Sequence, residues 1–364
     1  MDVQDPALAR LIDQVARARE HGTPLDICGG GTKRFYGESP AGTPLDVTPL
    51  SGITCYEPTE LVVTVRAGTP LRNLEAALQE HGQCLPYEPP RFAPGGTVGG
   101  MVAAGLSGPA RASVGSVRDH VLGVTLLNGR GEILTFGGQV TKNVAGYDVS
   151  RLLVGSLGIL GVICDVSLKV LPTSVATETL SFDWGETRAL ETLSRWAAQP
   201  LPINASAWHA GQLRVRLAGA RAAVAAACER LGGERLETSA AIAWWLSVRD
   251  QSTEFFSVGE NSLARGEALW RLSVPAVTAA LSLPGEQFIE WGGAQRWWRT
   301  TAQPAAVRDA AARAGGHATL MIGADRSDGV FAPLSAVLMR THQALKQAFD
   351  PARIFNPGRL YPGL

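Results

Sequence analysis

Leu8, Leu11, Ile12 and Val15 fall at the three- and four-residue intervals that gather apolar side chains on one face of a helix. Asp5 and Pro6 ahead of them supply an N-cap and a first-turn proline, and His21-Gly22 supplies a stop. A helix of about four turns is predicted. Leu25-Asp26-Ile27-Cys28 then reads as a short strand running straight into Gly29-Gly30-Gly31-Thr32-Lys33. Leu61 to Val65 is a second strand. Behind it, Thr69 as cap, Pro70 in the first turn, the stripe Leu71, Leu74 and Leu78, and Gly82 past the end spell a second helix. Val121 to Leu127 and Glu132 to Phe136 flank Asn128-Gly129, a dipeptide suited to the positive φ angles of a tight hairpin, so antiparallel strands join the α/β pattern.

Further along, helical periodicity covers 187–199, 220–231, 240–250, 304–314 and 334–348, and strand-like runs cover 203–208, 212–217, 268–274, 287–291 and 318–322. That order predicts an antiparallel sheet with helices on one face. Residue types divide the chain at the same place: residues 1–172 hold 25 of the 41 glycines and no tryptophan, whereas all nine tryptophans lie between Trp184 and Trp298. The expectation is an α+β protein of two domains, 1–172 and 173–364, with Leu171-Pro172-Thr173 as the seam.

The charges change little in this picture and exclude some partners. Thirty-three basic residues balance thirty-three acidic ones, so no overall field draws the chain to nucleic acid. Asp2 and Asp5 near the start fit neither a signal nor a transit peptide, and no apolar run approaches a membrane span, which predicts a cytoplasmic protein. Cys28, Cys55, Cys84, Cys164 and Cys228 are scattered and never paired as CxxC, so reduced thiols are expected rather than a zinc site or an iron–sulfur cluster.

The candidate chemistry is in the glycines. Ala93-Pro94-Gly95-Gly96-Thr97-Val98-Gly99-Gly100 carries no acid, base or nucleophile, and its proline-fixed and apolar flanks suit a folded, ligand-facing turn better than a linker. Gly29 to Lys33 offers successive unhindered N–H groups, a hydroxyl and a cation, the makings of an anion-binding nest. The spacings GxxxxGK[ST] and GxGxxG are both missing. With Gly115-Ser116-Val117-Arg118-Asp119, and with Lys142 to Asp148 running into Gly155 to Ile163, these loops describe an extended groove with the shape of a dinucleotide. A tight surface turn with an exposed lysine stays open as the other reading of Gly29 to Lys33.

Residues 24–172 resemble the FAD-binding domain of the vanillyl-alcohol oxidase/PCMH flavoprotein superfamily, in the branch of the D-2-hydroxyacid dehydrogenases. The segment KNVAGYDVSRLLVGSLGILGVI carries the likeness, and GGHATL, Phe331-Ala332-Pro333-Leu334 and FDPARIFNPGRLYPGL extend it toward the FAD-binding subunits of bacterial glycolate oxidases. The resemblance implies a two-subdomain PCMH-type flavin domain, an α+β cap, and a C-terminal segment returning to the flavin domain. Gly29, Gly30, Gly31, Thr32 and Lys33 would then receive the pyrophosphate of a noncovalently held FAD. Pro94, Gly95, Gly96, Thr97, Val98, Gly99 and Gly100 would line the groove where side chains would take the cofactor's space. Gly115, Ser116, Arg118 and Asp119 would reach its central and adenosine portion, and Gly158, Val162 and Ile163 the adenine. The implied partners are a second FAD subunit and an iron–sulfur subunit. The resemblance likewise implies a small 2-hydroxy acid as substrate of the complex and membrane association only through those partners.

Several positions depart from the family or stay open. Leu157 stands where many relatives have glutamate, and neither a loop histidine nor Cys28 offers an obvious covalent anchor for flavin. Relatives that oxidise substrate cluster histidines in the cap; here His317, among apolar neighbours, is the weak candidate base, and no metal site is expected. Tyr147 and Asp148 read equally as interior plugs, and Trp244-Trp245 and Trp297-Trp298 read as interface anchors or as cap core. A self-sufficient 2-hydroxy-acid dehydrogenase and a scaffold without cofactor are the alternatives to an electron-transferring FAD subunit.

Overall fold

The computed structural model describes residues 5–138 and 147–364; Lys142 to Gly146 lie outside the described residues. Its first element is the helix Pro6–His21, which buries Leu8, Leu11, Val15 and Ala18. The Asp5 carboxylate accepts from the N–H groups of Ala7 at 2.8 Å and Leu8 at 3.3 Å, a cap worth about 1 kcal/mol. Gly22, at φ 64°, ends the helix. This helix packs on a parallel pair of strands, Leu25–Cys28 and Thr43–Asp46, and Phe355 bridges to Leu25 in parallel on the other side. Leu45, Leu50, Ile354 and Phe355 complete that small core.

The second subdomain is a five-stranded antiparallel sheet in the spatial order Ile53–Glu57, Val62–Arg66, Val162–Lys169, Val121–Leu127 and Ile133–Gly137. The helices Leu71–Glu80 and Val98–Ala104 contribute Leu71, Leu74, Leu78, Val98, Met101 and Val102 to its core. Two local expectations are corrected. Thr69 does not cap the helix; its hydroxyl accepts from the N–H of Gly52 at 2.9 Å, and Pro70 stands at the cap without a side-chain bond. Nor does Asn128-Gly129 form a tight two-residue turn: Asn128 Oδ1 accepts from the N–H groups of Arg130 and Glu132, both at 2.9 Å, and Gly131 takes the positive φ of 81°. Gly129 is needed for close approach instead. Its N–H donates to Phe349 O, and an added Cβ would strike the Asp350 carboxylate.

The cap is an eight-stranded antiparallel sheet in the order Glu234–Arg235, Ala176–Asp183, Gln212–Gly219, Ile203–His209, Glu286–Glu290, Gln295–Thr300, Ala268–Ser273 and His317–Ile322. Alternation along these strands makes two faces. One face buries Leu180, Trp208 and Leu213 in one cluster and Trp270 and Trp298 in another, beneath the helices Glu186–Ala197, Arg221–Leu231 and Pro304–Arg313. The other presents Ala205, Ala207, Leu269, Phe288, Trp297 and Met321 to Tyr36, Ala104, Leu106 and Leu157 of the N-terminal half. None of the nine tryptophans is exposed, so the interface-anchor reading gives way to core.

The C-terminal helix Ala336–Phe349 ends on a buried ion pair, Lys346 to Asp350 at 2.8 Å. Lys346 Nζ also donates to Ile159 O at 2.8 Å and Phe355 O at 2.7 Å. A buried ammonium with three acceptors is fully matched, and here it fixes the returning chain against the loop that contains Leu157.

Candidate cofactor cleft

The strand Leu25–Cys28 delivers its glycines to the mouth of a cleft lined by Asp26 to Arg34, Pro40, Thr97, Gly100, Ala103, Ala104, Leu157, Asn356 and Arg359. Among the described residues, no acceptor takes the backbone N–H of Gly29, Gly30, Gly31, Thr32 or Lys33. Successive donors without a protein acceptor, on residues that line a cleft, are what an anion needs. Side-chain charge agrees with them: Lys33, Arg34 and Arg359 stand on the walls against the single carboxylate of Asp26, which pairs with Arg34 at 2.7 Å.

Lys33 has no carboxylate within ion-pair distance among the described residues. Its ammonium lies 5.7 Å from the Phe92 ring centroid, and burial draws its pKa down to about 8, with Asp250 opposing. Phe92 and Asp250 belong to a second cleft, which Pro94, Gly95 and Gly96 also line. Lys33 therefore stands between the two spaces. Burial, with Asp26 and Asp46 nearby, raises the Cys28 thiol, which keeps that cleft-lining sulfur protonated and poorly nucleophilic.

The glycines have a different reason from the one the sequence suggested. A Cβ on Gly30 would overlap the Gly95 carbonyl, and one on Gly29 would overlap Thr97 Oγ1, so these glycines let two loops close on each other. A Cβ on Gly99 would come within 2.7 Å of Ala67 Cβ, and the Gly99 N–H donates to Ala67 O at 2.7 Å, which seats the Val98–Ala104 helix against the sheet. Only part of the bareness faces open space.

The remaining candidates scatter. Thr97 and Gly100 line the first cleft, whereas Val98 and Gly99 are buried. Gly115, Ser116, Arg118 and Asp119 line neither cleft; Asp119 Oδ2 accepts from the Ser116 N–H at 2.8 Å and hydroxyl at 2.9 Å, capping its own short turn. Those bonds hold the Asp119 carboxyl below its usual range. Val162 and Ile163 are sealed in separate cores, and Gly158 lies beneath Asn356, leaving Leu157 to face the cleft at a positive φ of 49°. Tyr147 is 97% exposed and Asp148 pairs with Arg151 at 3.1 Å, so neither plugs the interior. His317 is exposed at the start of an edge strand; partial desolvation and the Arg271 guanidinium lower its pKa, correcting the expectation of purely apolar neighbours.

Sequence reasoning missed Asp26, Arg34, Asn356 and Arg359 as cleft residues. Asn356, at φ 39°, accepts from the Ile27 N–H at 2.7 Å and donates to Leu157 O at 2.6 Å, joining three segments remote in sequence. The Asn-Pro-Gly-Arg run near the C-terminus was the available signal.

Residues 8–137 match the FAD binding domain family, and residues 292–360 match the C-terminal domain of FAD linked oxidases. Over 354 residues the chain is 47% identical to glycolate oxidase subunit GlcE of Escherichia coli strain K12, covering 97% of each protein. The chain belongs to the GlcE family. This GlcE-family chain is also 30% identical over 177 residues to glycolate oxidase subunit GlcD of Bacillus subtilis, covering 47% of its own length and 37% of that protein's. It is 34% identical over 132 residues to a D-lactate dehydrogenase of Anaerostipes hadrus, covering 36% and 27%. An alkyldihydroxyacetonephosphate synthase structure shares the fold, at a TM-score of 0.64 and 14% identity, over 96% of this chain and 75% of that one. The GlcE-family chain thus carries an FAD binding domain of the FAD-linked oxidases. Among its described residues no helix is long and apolar enough to cross a membrane, and no three His, Cys, Asp or Glu side chains gather as metal ligands.

Proposed function

We propose that this chain is the FAD-binding subunit of a glycolate oxidase, working in the cytoplasm with a second FAD subunit that holds the hydroxy-acid site and with an iron–sulfur subunit. The observation that carries the reading is the run of unmatched N–H groups from Gly29 to Lys33 in a cleft with three cations. It is the donor set a diphosphate requires, on a chain of the GlcE family. FAD, when bound, would supply a redox group that takes up electrons of glycolate oxidation passed on by the partner subunit holding the hydroxy-acid site. The chain's part is to bind and orient: Gly29 to Lys33 hold the diphosphate, Gly31 and Gly95 present open backbone, and Leu157, Ala103 and Ala104 exclude water from one wall.

A second reading, a subunit that oxidises substrate itself, is favoured by one cluster on the cap face turned to the flavin domain. Arg271 donates to Tyr36 Oη at 3.2 Å, and burial, then the nearby Arg271 guanidinium, lower the pKa of both Arg111 and His317. Arg111 stacks 4.5 Å from the Trp291 ring centroid. Neither arginine has an ion-pair partner among the described residues, which leaves them free for a carboxylate.

Purified chain incubated with FAD and then gel-filtered tests the first reading. It should retain yellow colour at about one flavin per chain by the single-site mass action expected of a resident cofactor; colourless protein rejects it. Anaerobic glycolate or D-lactate then separates the two readings. Flavin that stays oxidised until partner subunits are added supports the first, and bleaching of the isolated chain supports the second.

A further inference from the structure

Arg359 is 7% exposed, and burial draws its pKa down to about 10, which leaves the guanidinium charged at neutral pH. Its Nη2 donates to Arg34 O at 2.9 Å. Its Nη1 is buried and has no hydrogen-bond partner. Of the described residues with an orphaned buried side-chain atom, Arg359 is the one lining the Gly29–Lys33 cleft. Nearby acids do not neutralise it: Asp26 is engaged with Arg34, and Glu38 Oε1 accepts from the Val330 N–H at 2.7 Å. A buried charged donor without an acceptor is costly unless something outside the protein completes it.

The segment carrying Arg359 is fastened at several points. Phe355 bridges to Leu25, Asn356 bonds to Ile27 and Leu157, and the Arg359 carbonyl accepts from the Glu38 N–H at 3.0 Å. The guanidinium is therefore positioned before any ligand arrives, and little side-chain entropy is lost on binding.

We propose that Arg359 donates through Nη1 to a phosphate oxygen of the ligand in this cleft, so that the C-terminal segment joins the Gly29–Lys33 amides in holding a diphosphate. With FAD as that ligand, the inference rests on the function proposed above, but its chemistry is that of any diphosphate. Binding is then linked to the docking of residues 354–359, and ligand stabilises the attachment of the C-terminal segment as much as the segment stabilises the ligand.

The test uses the flavin-free full chain with ADP as the diphosphate probe and FAD titrated in parallel. Calorimetry should give at least about a tenfold weaker ADP dissociation constant for Arg359→Gln, the loss expected of one charge-assisted hydrogen bond, and FAD affinity should fall with it. Riboflavin, which has no phosphate, should bind wild type and variant alike. Should Arg359→Gln fail to fold, the wild type decides by NMR: the Arg359 guanidinium resonances should shift on adding ADP and stay unmoved by riboflavin. Unchanged ADP affinity in a folded Arg359→Gln, unmoved Arg359 resonances, or no ADP binding by the wild type overturns the inference. The two readings fail separately. Wild type that takes up FAD with equal affinity in Arg359→Gln rejects the clamp alone, and wild type that binds ADP through Arg359 but takes up no FAD rejects only the flavin.

Discussion

The tryptophans of the cap and the glycines of the Gly29–Lys33 cleft place their donors differently. In the cap, Trp297 Nε1 meets Glu290 at 2.6 Å, Trp298 Nε1 meets Pro284 O at 2.9 Å, and the wholly buried Arg296 donates to Gly293 O and Thr278 O at 2.8 and 2.6 Å. The cap has buried exceptions, the Trp270 indole N–H beside Leu272 and Val307 and the Nε groups of Arg214 and Arg308 among them. At the first cleft the amides of Gly29 to Lys33, and Arg359 Nη1 from the returning C-terminal segment, end without acceptors among the described residues. Folded proteins match their buried donors. Arg359 Nη1, buried and unmatched, and the accessible amides that share its cleft therefore mark a wall that something other than the protein can complete, whereas the bonded indoles and Arg296 mark architecture.

The sharpest way to break this comparison is to remove an indole from the cap. Trp298→Ala should lower stability by about 3–5 kcal/mol, measured by denaturant unfolding, while FAD affinity of the folded protein stays within about twofold, as expected for sites without shared partners. A large change in affinity would mean that the cap's interior and the cleft are one unit. Next, Gly30→Val should weaken FAD binding about a hundredfold or more, near 2.7 kcal/mol, because the branched side chain overlaps the Gly95 carbonyl and parts the two loops. Flavin fluorescence titration reads this, with circular dichroism showing that the fold persists.

Glu290 gives the cap a pH signature. Burial raises its carboxyl to about 7 from 4.5, against the hydrogen bonds from Trp297 and Gln295. Between pH 4.5 and 7 the folded state binds the extra proton, so stability falls as pH rises through that window. Glu290→Gln should flatten the fall and stabilise the protein at pH 8 by on the order of 2 kcal/mol. A parallel loss of stability in both proteins would place the effect elsewhere. Lys33 gives the cleft its own, smaller signature. Its ammonium favours phosphate, so FAD affinity should fall as pH rises through about 8. Lys33→Met should abolish that slope and weaken binding at pH 7 by about tenfold, one charge-assisted contact.

Local pattern revealed most of the elements. The first helix, with Asp5 as cap and Gly22 as stop, forms as the spacing predicts, because each signal lies within one turn of what it controls. The strand Gln295–Thr300 was missed because its Gln-Arg-Trp-Trp-Arg-Thr sequence looks too polar to bury; only the acceptors at Gly293, Thr278, Pro284 and Glu290, brought by other segments, make burial possible. The cleft followed the same rule. Gly29 to Lys33 was legible as a nest from its own composition, but Asn356 and Arg359 reach it across more than three hundred residues, and no local spacing encodes that approach. Gly30 and Gly99 were read as leaving room for a ligand, and the structure shows close packing at both, since the two needs call for the same residue.

The most direct measurement is a structure of the full chain reconstituted with FAD. Phosphate oxygens within about 3 Å of the Gly29 to Lys33 amide nitrogens, with Arg359 Nη1 on the same diphosphate, are the predicted result. A diphosphate held elsewhere, with those amides still facing solvent, would contradict the account.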